Sequence, residues 1–135
     1  MAENNIFHFI VVDDSKLDCF IAEKVIKNTG KCASVKSFIH AKDAIAYFKE
    51  GSHPQEHNII LLVDIQMPVM NGFDFVEAFE LLQLQDKARF KIFMISSSMN
   101  EQDVNRVHQY KSIRQLLNKP ITSNNLSLLL ANEQG

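Results

Sequence analysis

Asn58-Ile59-Ile60-Leu61-Leu62-Val63-Asp64-Ile65-Gln66-Met67-Pro68-Val69-Met70-Asn71-Gly72 is the stretch whose reading decides the fold. Ile59 to Val63 are five consecutive aliphatic residues with no polar alternation, the pattern of a strand covered on both faces. The run ends on a carboxylate, Asp64, and passes into a loop that closes on the turn pair Asn71-Gly72. Strands covered on both faces belong to parallel sheets, and open parallel sheets bind ligands in the crevice outside the carboxyl ends of their strands. Asp64 is therefore a carboxylate delivered to a strand tip.

Four more apolar runs flank this one: Ile6 to Val12, Cys32 to Phe38, Phe90 to Ser96 and Ile113 to Leu117. Between them the apolar residues recur at helical spacing. Leu17, Phe20, Ile21, Val25 and Ile26 mark a first helix, with Gly30 placed to end it. Ala44, Ile45 and Phe48 mark a second, which Gly51 ends. Phe73, Val76, Phe79 and Leu82 mark a third, and Val104, Val107 and Tyr110 a fourth. A fifth begins near Thr122 or Ser123, with Leu126, Leu129 and Leu130 inward. Five β-α repeats predict an α/β fold with helices on both faces of a parallel sheet, and right-handed crossovers reduce the topology to a doubly wound one.

The 135 residues, 46% of them hydrophobic, suit one core and one domain spanning 1–135. With a net charge of -2 and scattered Lys and Arg, nucleic-acid binding is not expected. Cys19 and Cys32 fit neither a disulfide framework nor a zinc site, and the five histidines share no metal-ligand spacing. No secretory leader and no membrane span is read from the chain, so a cytoplasmic, soluble protein is expected. A dinucleotide fold needs a glycine-rich turn after its first strand, where this chain has Asp13-Asp14-Ser15-Lys16, and no P-loop spacing exists.

With the first strand central, the tips of strands one, three, four and five meet, and they bring Asp13, Asp14, Asp64, Ser96 and Lys119 together. Crowded carboxylates repel unless a proton or a cation intervenes. Hard oxygen ligands without thiolate or imidazole suit Mg²⁺. Such a site beside a hydroxyl and an ammonium fits phosphoryl transfer to a carboxylate: Asp64 as the acceptor, Lys119 neutralising the phosphoryl oxygens, and Ser96 donating a hydrogen bond. Ser97 or Ser98 takes that last role if the register shifts.

Ile10-Val11-Val12-Asp13-Asp14-Ser15, the stretch Leu62 to Gly72, Ile92 to Ser98 and Asn118-Lys119-Pro120-Ile121 resemble the receiver domain of two-component response regulators, in particular its single-domain, chemotaxis-type members. The resemblance runs from Ile6 to about Ala131. It implies a flavodoxin-like sheet of order 2-1-3-4-5. It also implies a phosphoacceptor rather than a turnover enzyme: Asp64 takes the phosphoryl group from a histidine kinase or a histidine phosphotransfer protein. Asp13, Asp14, Asp64 and the Gln66 backbone carbonyl would be the Mg²⁺ ligands, Ser96 and Lys119 the phosphoryl contacts, and Ser97 the small residue leaving room. A protein partner would be engaged through the face of helix 4, strand 5 and helix 5, the chain being a monomer or weak dimer. One position departs from the pattern: three residues before the lysine, where the family has an aromatic switch residue, stands Leu116. A phosphohydrolase of the haloacid-dehalogenase type would need an acid two residues after Asp64, where Gln66 stands. A pseudo-receiver would lack the acids, hydroxyl and lysine that this chain retains.

Overall fold

The computed structural model describes residues 6–133. The chain alternates strand and helix: β1 Phe7–Val12, α1 Lys16–Asn28, β2 Cys32–Phe38, α2 Ala41–Lys49, β3 Asn58–Asp64, α3 Gly72–Glu80, β4 Phe90–Ser96, α4 Glu101–Val107, β5 Ile113–Asn118 and α5 Ser123–Asn132, with a 3₁₀ turn at Lys87–Arg89 before β4. The strands form one sheet in the order β2-β1-β3-β4-β5, and every pairing is parallel. The doubly wound topology read from the sequence and the strand order that the resemblance implies are those observed.

Central strands carry large residues on both faces because both faces are covered. Ile10, Val12, Leu61, Val63, Ile92 and Met94 pack toward Phe48 of α2, Phe73, Val76 and Phe79 of α3 and Val107 of α4. The alternate residues Phe9, Val11, Ile60, Leu62, Phe93 and Ile95 pack toward Cys19, Ala22 and Ile26 of α1 and Leu126 and Leu130 of α5. Each large apolar side chain so buried contributes roughly 1.5–3 kcal/mol before conformational entropy is set against it. Register then fixes the crevice. Val12 pairs with Val63, Asp64 with Ile95 and Ser96 with Asn118, so the strands end at one level and the residues just beyond them converge.

The helix ends follow their local chemistry. Ser15, Asn71, Asn100 and Thr122 each accept a hydrogen bond from the backbone N–H three residues on, capping α1, α3, α4 and α5. Gly30 and Gly51 follow α1 and α2 with φ of +71° and +75°, the left-handed conformation that ends a helix at low steric cost.

Three expectations from apolar spacing need correction, the first being Leu82, which lies beyond α3, since that helix stops at Glu80. The α1 residues Leu17 and Phe20 are 66% and 56% exposed, and Ile21 is exposed too; Cys19, Ala22 and Ile26 face the sheet, with Val25 half-buried beside them. Small residues on that face let α1 lie close to β1 and β2. Tyr110, expected at the end of a helical stripe, lies beyond α4, which stops at Val107. Its ring stacks on Phe73 of α3 with centroids 5.6 Å apart, and the Arg106 guanidinium covers the same phenylalanine at 4.3 Å. No helix among the described residues is long and apolar enough to cross a membrane.

Candidate functional site

Four strand tips build the site. Asp13 follows β1, its backbone N–H donating to the Phe38 carbonyl at 3.0 Å. Asp64 closes β3. Lys119 follows β5, held by its N–H to the Ser96 carbonyl at 2.8 Å. Ser96 closes β4. Asp13 and Asp64 are buried, at 1% and 5% exposure, whereas Asp14 faces solvent. Asp13, Asp14 and Asp64 each present a carboxylate oxygen within 4.8 Å of the others. Three hard anionic oxygens, two of them buried, match the ligand preference of a small divalent cation and not that of a thiophilic one.

Lys119 supplies the only ammonium recorded among these acids in the described residues. Its Nζ lies 2.8 Å from Asp13 Oδ2, 2.9 Å from Asp18 Oδ2 and 3.6 Å from Asp64 Oδ2. Burial works against its charged form, but hydrogen bonds to Asp13 and Asp18 outweigh this and hold its pKa above the ordinary lysine value. Asp64 goes the other way. Burial, then the neighbouring Asp13 charge, pushes its carboxyl up to about 6, against the pull of Lys119 and the Gln66 N–H, which donates to Asp64 Oδ1 at 3.3 Å.

Ser96 sits in the same tier but is fully buried and engaged elsewhere. Its hydroxyl donates to the Ser98 carbonyl at 2.7 Å and accepts from the Ser98 N–H at 3.0 Å. Ser97 is exposed and lines a cleft of about 320 Å³ together with Asp13, Asp18, Ile21, Lys119 and Pro120. Ser96 is thus the buried hydroxyl of the three serines, at the end of β4, and Ser97 the one on the cleft. Leu116 pairs with Met94 across β4 and β5 and is half-buried against the α3 and α4 side of the core. Asp18 was absent from the candidates drawn from sequence. Its signal was there, an acid in the first turn after a strand-end acidic pair, but that spacing reads equally as helix capping.

On the other side of Asp64 the chain is pressed tightly. The Gly72 N–H donates to the Ile65 carbonyl at 2.9 Å, and a Cβ at Gly72 would stand 2.5 Å from the Asp64 carbonyl oxygen. Glycine is required there by close approach, not by φ. Val69, between them, is 95% exposed and holds φ +70°, a strained value for a β-branched residue.

A doubly wound parallel sheet with an acidic trio and a lysine at its carboxyl edge defines an α/β domain of the receiver class. The response regulator receiver domain model matches residues 9–131. A response regulator receiver protein from Dyadobacter fermentans is 35% identical, covers 94% of this chain and 97% of its own, and superposes with a TM-score of 0.85. A two component response regulator from Cytophaga hutchinsonii, 23% identical, shares the fold with the same TM-score over 95% of this chain and 96% of its own. The autoinducer 1 sensor kinase/phosphatase LuxN of Vibrio campbellii is 27% identical over 123 residues, which is 91% of this chain and 13% of that much longer protein. The chain belongs to the response regulator receiver domain family of two-component signalling.

Proposed function

We propose that Asp64 is the phosphoacceptor of this receiver, with Mg²⁺ held by Asp13, Asp14, Asp64 and the Gln66 backbone carbonyl. The observation that carries the reading is the placement of Lys119 Nζ between buried Asp13 and buried Asp64, 2.8 and 3.6 Å away. A carboxylate oxygen of Asp64 forms the new O–P bond while the P–N bond of a phosphohistidine donor breaks, its electron pair remaining on the imidazole nitrogen. Lys119 neutralises negative charge on the transferring oxygens beside two buried carboxylates. When bound, Mg²⁺ would supply further charge neutralisation there. Water attack on the acyl phosphate later restores the carboxylate and releases inorganic phosphate, so the chain works as a timed signal rather than a turnover enzyme.

Ser96 must turn its hydroxyl away from Ser98 to meet a phosphoryl oxygen. That exchange frees the Ser98 backbone, three residues before α4, and gives the chemistry a route toward the face of α4, β5 and α5, where a downstream protein partner binds. With Leu116 at the usual aromatic position, the route runs through this loop and not through an aromatic ring. A receiver domain that is monomeric or weakly dimeric and acts in the cytoplasm is the form we assign.

The donor, a histidine kinase or phosphotransfer protein, has to present its imidazole at the cleft of Ser97, Lys119 and Pro120. Beside it α1 exposes Leu17, Phe20 and Ile21, an apolar patch that meets the donor. Phe20→Ser is expected to lower the ratio of the protein-donor rate to the acetyl phosphate rate by roughly tenfold or more, as for a central aromatic contact. An unchanged ratio removes α1 from the docking surface. The phosphoacceptor reading itself is tested with beryllofluoride and Mg²⁺, followed by amide NMR. Wild type should show shifts around residues 64, 96 and 119, and Asp64→Asn none; equal responses from both would reject it.

A further inference from the structure

Asp18 has no part in the roles above. Ser15-Lys16-Leu17-Asp18 has the spacing of a capping box, in which N-cap side chain and N3 acid each accept from the other's backbone N–H. Half of the box is present, Ser15 Oγ accepting from the Asp18 N–H at 3.1 Å. The other half is replaced, because the Ser15 N–H donates to Asp13 Oδ1 at 3.0 Å. In α3, by contrast, Asn71 and Asp74 satisfy both halves. The Asp18 carboxylate reaches instead across the crevice and accepts from Lys119 Nζ at 2.9 Å, joining residues 101 positions apart in sequence. A capping role does not account for that contact.

We infer that Asp18 is a positioning residue for phosphorylation of Asp64, tethering Lys119 over the crevice from outside the acidic trio; the inference rests on the phosphoacceptor reading. An ammonium has three N–H donors. Here Asp13 and Asp18 accept from it at hydrogen-bond distance, while Asp64 at 3.6 Å is within ion-pair reach only. Asp13 is also a member of the trio that suits a divalent cation, and a cation sharing its carboxylate repels the ammonium. The pairs of Lys119 with the trio members Asp13 and Asp64 are thus the ones that weaken when the site is loaded. Asp18 stands outside that trio, since the acids whose oxygens converge are Asp13, Asp14 and Asp64. Its position is fixed by the first turn of α1. The tether to Asp18 therefore persists, and the remaining N–H groups of Lys119 stay aimed at Asp64. Without it, a long flexible side chain must be ordered anew at each transfer.

The test is a double-mutant cycle with acetyl phosphate and Mg²⁺, read as the limiting rate of labelling of Asp64, together with the side-chain ammonium resonance of Lys119 in the metal-free protein. Asp18→Ala is expected to slow labelling about tenfold, the lower end for a partly exposed charge-assisted hydrogen bond. In the Lys119→Ala background it should slow labelling no further. The Lys119 ammonium signal should be sharp in wild type and broadened by exchange in Asp18→Ala, and Asp18→Glu should restore part of both. Equal slowing with and without Lys119, or a wild-type rate and an unchanged ammonium signal in Asp18→Ala, would overturn the inference while leaving Asp64 as the acceptor. Failure of wild type to label at Asp64 would overturn the phosphoacceptor reading and this inference with it.

Discussion

Replacing Gly72 by alanine is expected to lower the melting temperature by roughly 10 °C, the cost of about 3 kcal/mol of overpacking in a chain of this size. The added Cβ would stand 2.5 Å from the Asp64 carbonyl oxygen and 2.8 Å from Ile65 Cα, as well as 2.6 Å from Met94 Cε. The methionine tip can turn aside; the backbone of residues 64 and 65 cannot. Alanine gains up to about 1 kcal/mol over glycine within a helix, which is too little to offset the clash. Either β3 or the start of α3 moves, and each displacement shifts Asp64 relative to Lys119. Labelling of Asp64 in the folded variant should therefore slow as well, by an amount larger than the lost folded fraction explains. Thermal melting by circular dichroism with a labelling time course checks both, and a variant that melts with wild type would mean that α3 does not press on Asp64 as described.

Asp64→Asn is expected to stabilise the metal-free protein at pH 8 and to lose that advantage in acid. The Asp64 carboxyl, 3.8 in its ordinary state, is pushed up to about 6 by burial and by Asp13. A folded-state pKa above the unfolded one means that folding takes up a proton. The associated stability is complete below about pH 4 and is lost as pH rises through about 6. Above that window the ionised carboxylate costs about 3 kcal/mol, which the neutral amide removes while keeping an acceptor for the Gln66 N–H. The melting temperature of the variant should exceed wild type by roughly 10 °C at pH 8 without Mg²⁺ and converge with it near pH 4. A variant less stable than wild type at pH 8 would mean that the Lys119 pair, not burial and Asp13, governs Asp64.

The parts of the site legible in sequence were those fixed by strand ends. Asp13, Asp64 and Ser96 each follow or close a run of at least four apolar residues, Lys119 follows the shorter Leu116-Leu117 pair and Asn118, and parallel register brings such ends together whatever the helices do. The helix faces were less legible. Leu17, Phe20 and Ile21 outrank Cys19 and Ala22 in hydrophobicity, so apolar spacing favours the wrong face of α1; close packing against β1 and β2 selects the smaller residues. Tyr110 continues a three-residue spacing beyond the end of α4, and its place is set by stacking on Phe73, a tertiary contact. Asp18 fits a cap as well as it fits a site, and only the distance to Lys119 separates the two.

Borohydride reduction after incubation with acetyl phosphate and Mg²⁺ tests the central claim most directly, because it converts an aspartyl phosphate into homoserine and marks the residue that carried it. Peptide mass spectrometry should find homoserine at position 64 and nowhere else, dependent on Mg²⁺. Homoserine at Asp13, Asp14 or Asp18, phosphate retained on a serine, or an unmodified residue 64 in labelled protein would contradict the account.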